Sequence, residues 1–138
     1  MKKYYFLLVA IMMAMFSIGL TACGDDEDEP KFSDIIGTWK MTGAQNGANY
    51  IILQQFTKDG KSYDVEILTM DGVTEVEVWR GTYSINQVVI SIDERNDAGD
   101  NRAFNLKYQI KGKQLILSDA VKSYEFTQVS DSEIEKYL

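Results

Sequence analysis

From Phe32 onward, apolar and polar positions alternate in short runs separated by Gly, Asn and Asp. A period of two is the signature of strands with one buried face. Gly37-Thr38-Trp39-Lys40-Met41 opens the first strand, and Gln45 to Asn49 supplies turn residues before Tyr50–Phe56. Lys58-Asp59-Gly60-Lys61 and Asp71-Gly72 carry Asp-Gly, a strong hairpin signal, and they bracket a strand in which Tyr63, Val65 and Ile67 alternate with Asp64, Glu66 and Leu68. Thr74 to Ile85 is long for one strand. Val76 and Val78 share one parity while Trp79, Gly81, Tyr83 and Ile85 share the other, so a bulge near Arg80-Gly81 is expected, with a change of inward face. Asn86 turns the chain into Gln87–Ile92, and Asp93–Asn101 reads as the most polar loop. Phe104, Leu106, Tyr108 and Ile110 then mark the clearest alternating strand, followed by Gln114–Ser118 and Lys122–Gln128. Ser130 and Glu133 have capping-box spacing, which predicts a short helix within 131–138.

The fold class is therefore all-β, with about eight short antiparallel strands on hairpin-length connections. Closure into an up-and-down barrel hides the strand edges most completely, and a sandwich is the alternative arrangement.

The N-terminal segment has a different composition. Lys2 and Lys3 precede an uncharged stretch, Tyr4 to Leu20, and Thr21-Ala22-Cys23 follows. A basic start, an apolar run and small residues form the layout of a secretory leader, whereas a retained span needs about 20 apolar residues. Leu20-Thr21-Ala22-Cys23 resembles the lipobox of bacterial lipoproteins, which implies that Cys23 is lipidated and becomes the new N-terminus. The expected organisation is a leader over 1–22, a lipidated Cys and acidic tether over 23–30, and a barrel domain over 31–138. Acyl chains add roughly 0.8 kcal/mol per buried methylene, so such a protein is anchored to a membrane and does not span it. The run Asp25-Asp26-Glu27-Asp28-Glu29 repels itself into an extended tether. Behind a lipidated Cys it also resembles the export signal of Bacteroidetes surface lipoproteins. The expected location is the outer membrane with the barrel at the cell surface, and the periplasmic face is the alternative.

Composition then excludes several chemistries. The chain has 138 residues and a formal net charge of −7, with no basic cluster, which argues against nucleic acid. With no His and one Cys, it has no Ser-His-Asp triad, no Cys-His pair, no imidazole zinc site and no intramolecular disulfide. Asp93, Glu94, Asn96, Asp97, Asp100 and Asn101 crowd one loop, but their spacing does not match a calcium loop and suits ordinary turn chemistry. No carboxylate pair stands out as a glycosidase acid and base. Neither an enzyme, a metal site nor a cofactor is expected.

Ile36-Gly37-Thr38-Trp39 is similar to the Gly-x-Trp signature of lipocalins. The order of Phe56…Asp59-Gly60, Gly81-Thr82-Tyr83-Ser84-Ile85, Tyr108-Gln109-Ile110, Leu115-Ile116-Leu117 and Tyr124-Glu125-Phe126 resembles short lipocalin-like domains of Bacteroidetes lipoproteins. The resemblance covers about Ile35 to Gln128. It implies a barrel with Trp39 across its closed end, although the chain is shorter than larger lipocalins and lacks their paired cysteines. Trp79, Tyr83, Phe104 and Tyr108 are the candidate ligand-lining residues, with core filling as their alternative role. Two functions follow as expectations. One is a lipid-anchored module that binds a small apolar or amphipathic ligand. The other is a non-enzymatic accessory protein of the cell envelope, with a filled barrel and a protein partner.

Overall fold

The computed structural model describes residues 32–138. The expected leader over 1–22, and Cys23 with its acidic tether over 23–30, lie outside the described residues. A 3-10 turn, Phe32–Ile35, leads into eight strands: β1 Gly37–Gln45, β2 Ala48–Phe56, β3 Lys61–Met70, β4 Val73–Asn86, β5 Val89–Asn96, β6 Asn101–Lys111, β7 Gln114–Ser118 and β8 Ser123–Val129. A short helix, α1 (Ser132–Glu135), follows. Each strand pairs antiparallel with its sequence neighbours, and β1 pairs with β8 to close an up-and-down barrel.

The turn residues dictate the tight connections. Asn46-Gly47 and Asp71-Gly72 both have positive φ at both positions, as a two-residue hairpin turn of the twist-compatible kind requires. Once such a turn is set, the register follows: Asp71-Gly72 places Asp64 opposite Trp79 and Glu66 opposite Glu77. The β5–β6 connection is much shorter than the polar run suggests. Asp93 to Asn96 belong to β5, and Asn101 already begins β6.

The β4 ladder to β5 runs unbroken from Trp79↔Asn96 to Asn86↔Val89, so the expected bulge is absent. Trp79, Gly81, Tyr83 and Ile85 face the interior, whereas Val76 and Val78 lie on the outer wall for the whole strand. Gly81 serves a different purpose: a Cβ there would lie 1.8 Å from the Asp93 carbonyl oxygen. The glycine lets the backbones of β4 and β5 approach closely at this point.

The main core is the barrel interior, built from Trp39, Met41, Ile52, Phe56, Tyr83, Ile90, Ile92, Phe104, Leu106, Tyr108, Leu115, Leu117, Tyr124 and Phe126, with Ile35 beneath. A second cluster sits on the outside of the wall. Leu53 and Val65 project outward and are covered by Ile134 of α1, with Tyr63, Ile67, Val78, Val129 and Tyr137 around them. Ile134 is completely buried, so one turn of helix gives β2 and β3 two covered faces. The helix does not use the expected capping box. Asp131 occupies the cap position without a side-chain cap bond, because its carboxylate accepts a 2.7 Å hydrogen bond from Thr38 Oγ1. Lys40 and Glu133 add a 3.2 Å ion pair between β1 and the helix.

Candidate functional site in the barrel interior

Covering the outer face of β3 has a consequence inside. If Tyr63, Val65 and Ile67 face α1, then Ser62, Asp64 and Glu66 must face the barrel axis. The hairpin registers then carry this parity around the wall: Asp64 pairs with Trp79, Trp79 with Asn96, Gly81 with Glu94, and, across the four-residue β5–β6 connection, Glu94 with Arg102. The result is a buried polar cluster on one side of a mostly apolar interior, close to the end of the barrel that carries the β5–β6 connection.

Arg102 is its centre. Its guanidinium lies 3.2 Å from Asp64 Oδ1 through Nη2, 2.6 Å from Glu66 Oε1 through Nη1, and 3.1 Å from Glu94 Oε1 through Nε. The carboxylate side chains of Asp64, Glu66 and Glu94 are all fully buried, and that of Arg102 retains 10% exposure. The guanidinium stacks 3.9 Å from the Trp79 ring centre and 5.1 Å from that of Phe104. A planar, weakly hydrated cation suits this setting, where forked donors meet carboxylates and the flat face meets aromatics.

The polar contacts are unevenly completed. Glu94 is well served: Arg102 donates to Oε1, while Ser62 Oγ at 2.9 Å and Gln54 Nε2 at 3.5 Å donate to Oε2. Asn96 Nδ2 donates to Glu77 Oε1 at 2.7 Å and to Asp100 Oδ2 at 3.1 Å, which ties the β5–β6 connection to β4. By contrast, Arg102 Nη2 and Trp79 Nε1 are buried without an acceptor, and the Asp64 and Glu66 carboxyls complete one another only when one of them carries a proton. The contact between Arg102 Nη2 and Asp64 is therefore an ion pair that lacks hydrogen-bond alignment.

Electrostatics follow from this arrangement. Burial pushes the Asp64 carboxyl well above its ordinary range; Arg102 opposes the shift, and Glu66 and Glu94 reinforce it. Burial also raises Glu94, against the pull of Arg102 and the hydrogen bonds from Ser62 and Gln54. Burial would lower Arg102, but the fields of Asp64, Glu66 and Glu94 outweigh it and hold the guanidinium firmly charged. At the half-buried rim, burial raises Glu77, and the bond from Asn96 counters it.

The four aromatic residues singled out in the sequence all face the interior, but they do not form one group. Trp79 and Phe104 meet at the Arg102 guanidinium. Tyr83 belongs to the opposite end, where its ring meets Phe56 edge-on at 4.9 Å and its hydroxyl donates to the Thr57 carbonyl at 2.6 Å. Tyr108 lies opposite Leu117 in the apolar core. Tyr83→Phe should therefore cost about 1 kcal/mol of stability through the lost hydrogen bond. Urea unfolding measures this, and an unchanged midpoint would remove the structural role assigned to that hydroxyl. Arg102, Asp64, Glu66 and Gln54 were not anticipated, and Glu94 and Asn96 were expected in a loop. Among the described residues, no group of acidic or Cys side chains is placed to hold a metal ion.

A depression of about 250 Å³ lies along β4 to β6, lined by residues 82–84, 91–93 and 103–105, with the predicted candidates Tyr83 and Phe104 among them. Ser91 Oγ and Asn105 Oδ1 already bond there at 2.6 Å. No family model, no curated protein and no solved structure matches the chain.

Proposed function

We propose that the chain is a lipid-anchored lipoprotein of the cell envelope whose lipocalin-like barrel binds a small amphipathic ligand. One observation carries this reading: the interior is itself amphipathic, with an apolar cluster and, beside it, a buried polar cluster whose hydrogen bonding is incomplete. A ligand with an apolar body and a polar head matches that division. Burying its body contributes roughly 25 cal/mol per Å², and the polar groups fix its orientation. Trp79 and Phe104 form the boundary between the two regions. Cys23 supplies the anchor in this reading, and the acidic run behind it directs the barrel to the outer surface of the outer membrane.

The test uses the full chain and its Cys23→Ala variant. Cys23→Ala is expected to move the protein from the membrane to the soluble fraction. Incubated with a total lipid and metabolite extract and weighed by native mass spectrometry, the soluble variant should show a reproducible mass increment. A fluorescent apolar probe should displace the bound species. A clean unliganded mass together with no probe binding would reject the ligand-binding reading in favour of an accessory protein with a filled barrel.

A further inference from the structure

We infer that the open edge of β4 over Val73–Val78 docks an extended peptide segment in which apolar and basic residues alternate. The segment lies antiparallel to β4, where β5 would continue if it were longer. The inference is independent of what the barrel holds inside. Its first support is the register. β4 pairs with β3 as far as Met70↔Val73, but its pairing with β5 ends at Trp79↔Asn96. The chain turns away there into the β5–β6 connection, so among the described residues Val73–Val78 has a strand on one side only. Asp71-Gly72 closes a two-residue turn, and in such a hairpin Val73, Glu75 and Glu77 are the positions that bond to β3. Thr74, Val76 and Val78 therefore direct their N–H and C=O groups to the open side. The β4–β5 hairpin gives the same parity, since its closing pair is Asn86↔Val89 and even-numbered positions of β4 bond to β5. A row of unpaired backbone groups is what strand addition uses.

The side chains select the occupant. On the outer wall, the cross-strand row Ile51, Ile67 and Val76 runs over β2, β3 and β4 and stops at the edge, where Val76 is 46% exposed. An apolar residue of the incoming strand continues that row. On the opposite parity the edge carries Glu75 and Glu77, and Asn96 Nδ2 ties Glu77 to Asp100 beside it. A Lys or Arg of the incoming strand faces these carboxylates. The same glutamates oppose a second copy of this chain. Two-fold antiparallel pairing joins residues of like parity, so each register centred on Glu75, Val76 or Glu77 sets glutamate against glutamate.

Fluorescence anisotropy of the full chain in neutral detergent, with two labelled hexapeptides, tests this. One peptide alternates valine with lysine and the other valine with glutamate. The lysine peptide is expected to bind tighter by about tenfold or more, and N-methylation of its valines should remove that binding. Val76→Pro should remove it too. The Val76 N–H points to the open side and takes no part in the β3 ladder, so the barrel stays folded by circular dichroism and urea unfolding. Glu75→Lys is a second variant, expected to reverse the preference towards the glutamate peptide. Equal binding of the two peptides, tolerance of the N-methyl groups, or unchanged binding in either folded variant overturns the inference. So does a dimer of the full chain in sedimentation that Val76→Pro dissociates, which would assign the edge to a second copy.

Discussion

Arg102→Met should destabilise the protein by about 3–5 kcal/mol at neutral pH, the cost of leaving buried charges without their partner. Methionine fills much of the same volume and keeps a contact with the Trp79 ring, so the loss reports charge more than packing. The pH dependence separates the two. Burial places the native pKa values of Asp64 and Glu94 above their ordinary 3.8 and 4.5. Such carboxyls bind more protons in the folded chain than in the unfolded one. Their contribution is therefore complete below the unfolded value and declines as pH rises through the native value. Removing the guanidinium raises both native values further and widens the window of loss upward. Urea unfolding at pH 7 and pH 5 should show part of the deficit recovered at pH 5. A loss under about 1 kcal/mol that is the same at both pH values would mean that Arg102 does not neutralise the cluster.

Trp39→Ala is the second large expected effect, about 3–5 kcal/mol for truncating a fully packed aromatic. Trp39 is 1% exposed, and its Nε1 donates at 2.9 Å to the carbonyl of Ile35 in the turn before β1. The indole thus fills the interior next to Phe56 and Ile52 in the same cluster and holds the Phe32–Ile35 turn against the barrel. Trp39→Phe keeps most of the apolar area and loses the hydrogen bond, so it should cost clearly less than the alanine change. Denaturant midpoints for the two variants provide the comparison. Equal losses would place the stabilisation in the hydrogen bond and not in the ring.

The barrel was legible because alternation and turn chemistry agree. Asn46-Gly47, Asp59-Gly60 and Asp71-Gly72 mark three connections, and Phe104 to Ile110 alternates cleanly. The polar cluster was harder to see because β3 is apolar on one parity and acidic on the other, and one-face burial places the acidic parity in water. What inverts it is α1, about seventy residues further along the chain, whose Ile134 covers Val65. A usable signal was nevertheless present. With Trp79 inward, the two-residue turn at Asp71-Gly72 forces its partner Asp64 inward as well. The apparent loop at Asp93–Asn101 concealed Glu94 for a similar reason: polar side chains that serve the interior of a strand read as turn chemistry when their partner Arg102 is distant from the polar run on β3. The bulge expected at Gly81 confused close strand approach with a change of face; both favour glycine, and only the unbroken ladder distinguishes them.

The barrel's closure is uneven around its circumference. Hairpin neighbours share ladders such as the ten-residue pairing of β3 with β4, whereas β1 and β8 meet through Thr38↔Val129, Trp39↔Gln128 and Lys40↔Thr127 alone. Every other strand pairing is local in the chain, while this one joins segments about ninety residues apart, and its formation bears most of the loop-closure entropy. Folding would then proceed as a meander of hairpins that curls late. The Thr38–Asp131 and Lys40–Glu133 contacts sit directly on the β1–β8 seam. The short terminal helix therefore fastens the seam with the fewest paired positions in the barrel.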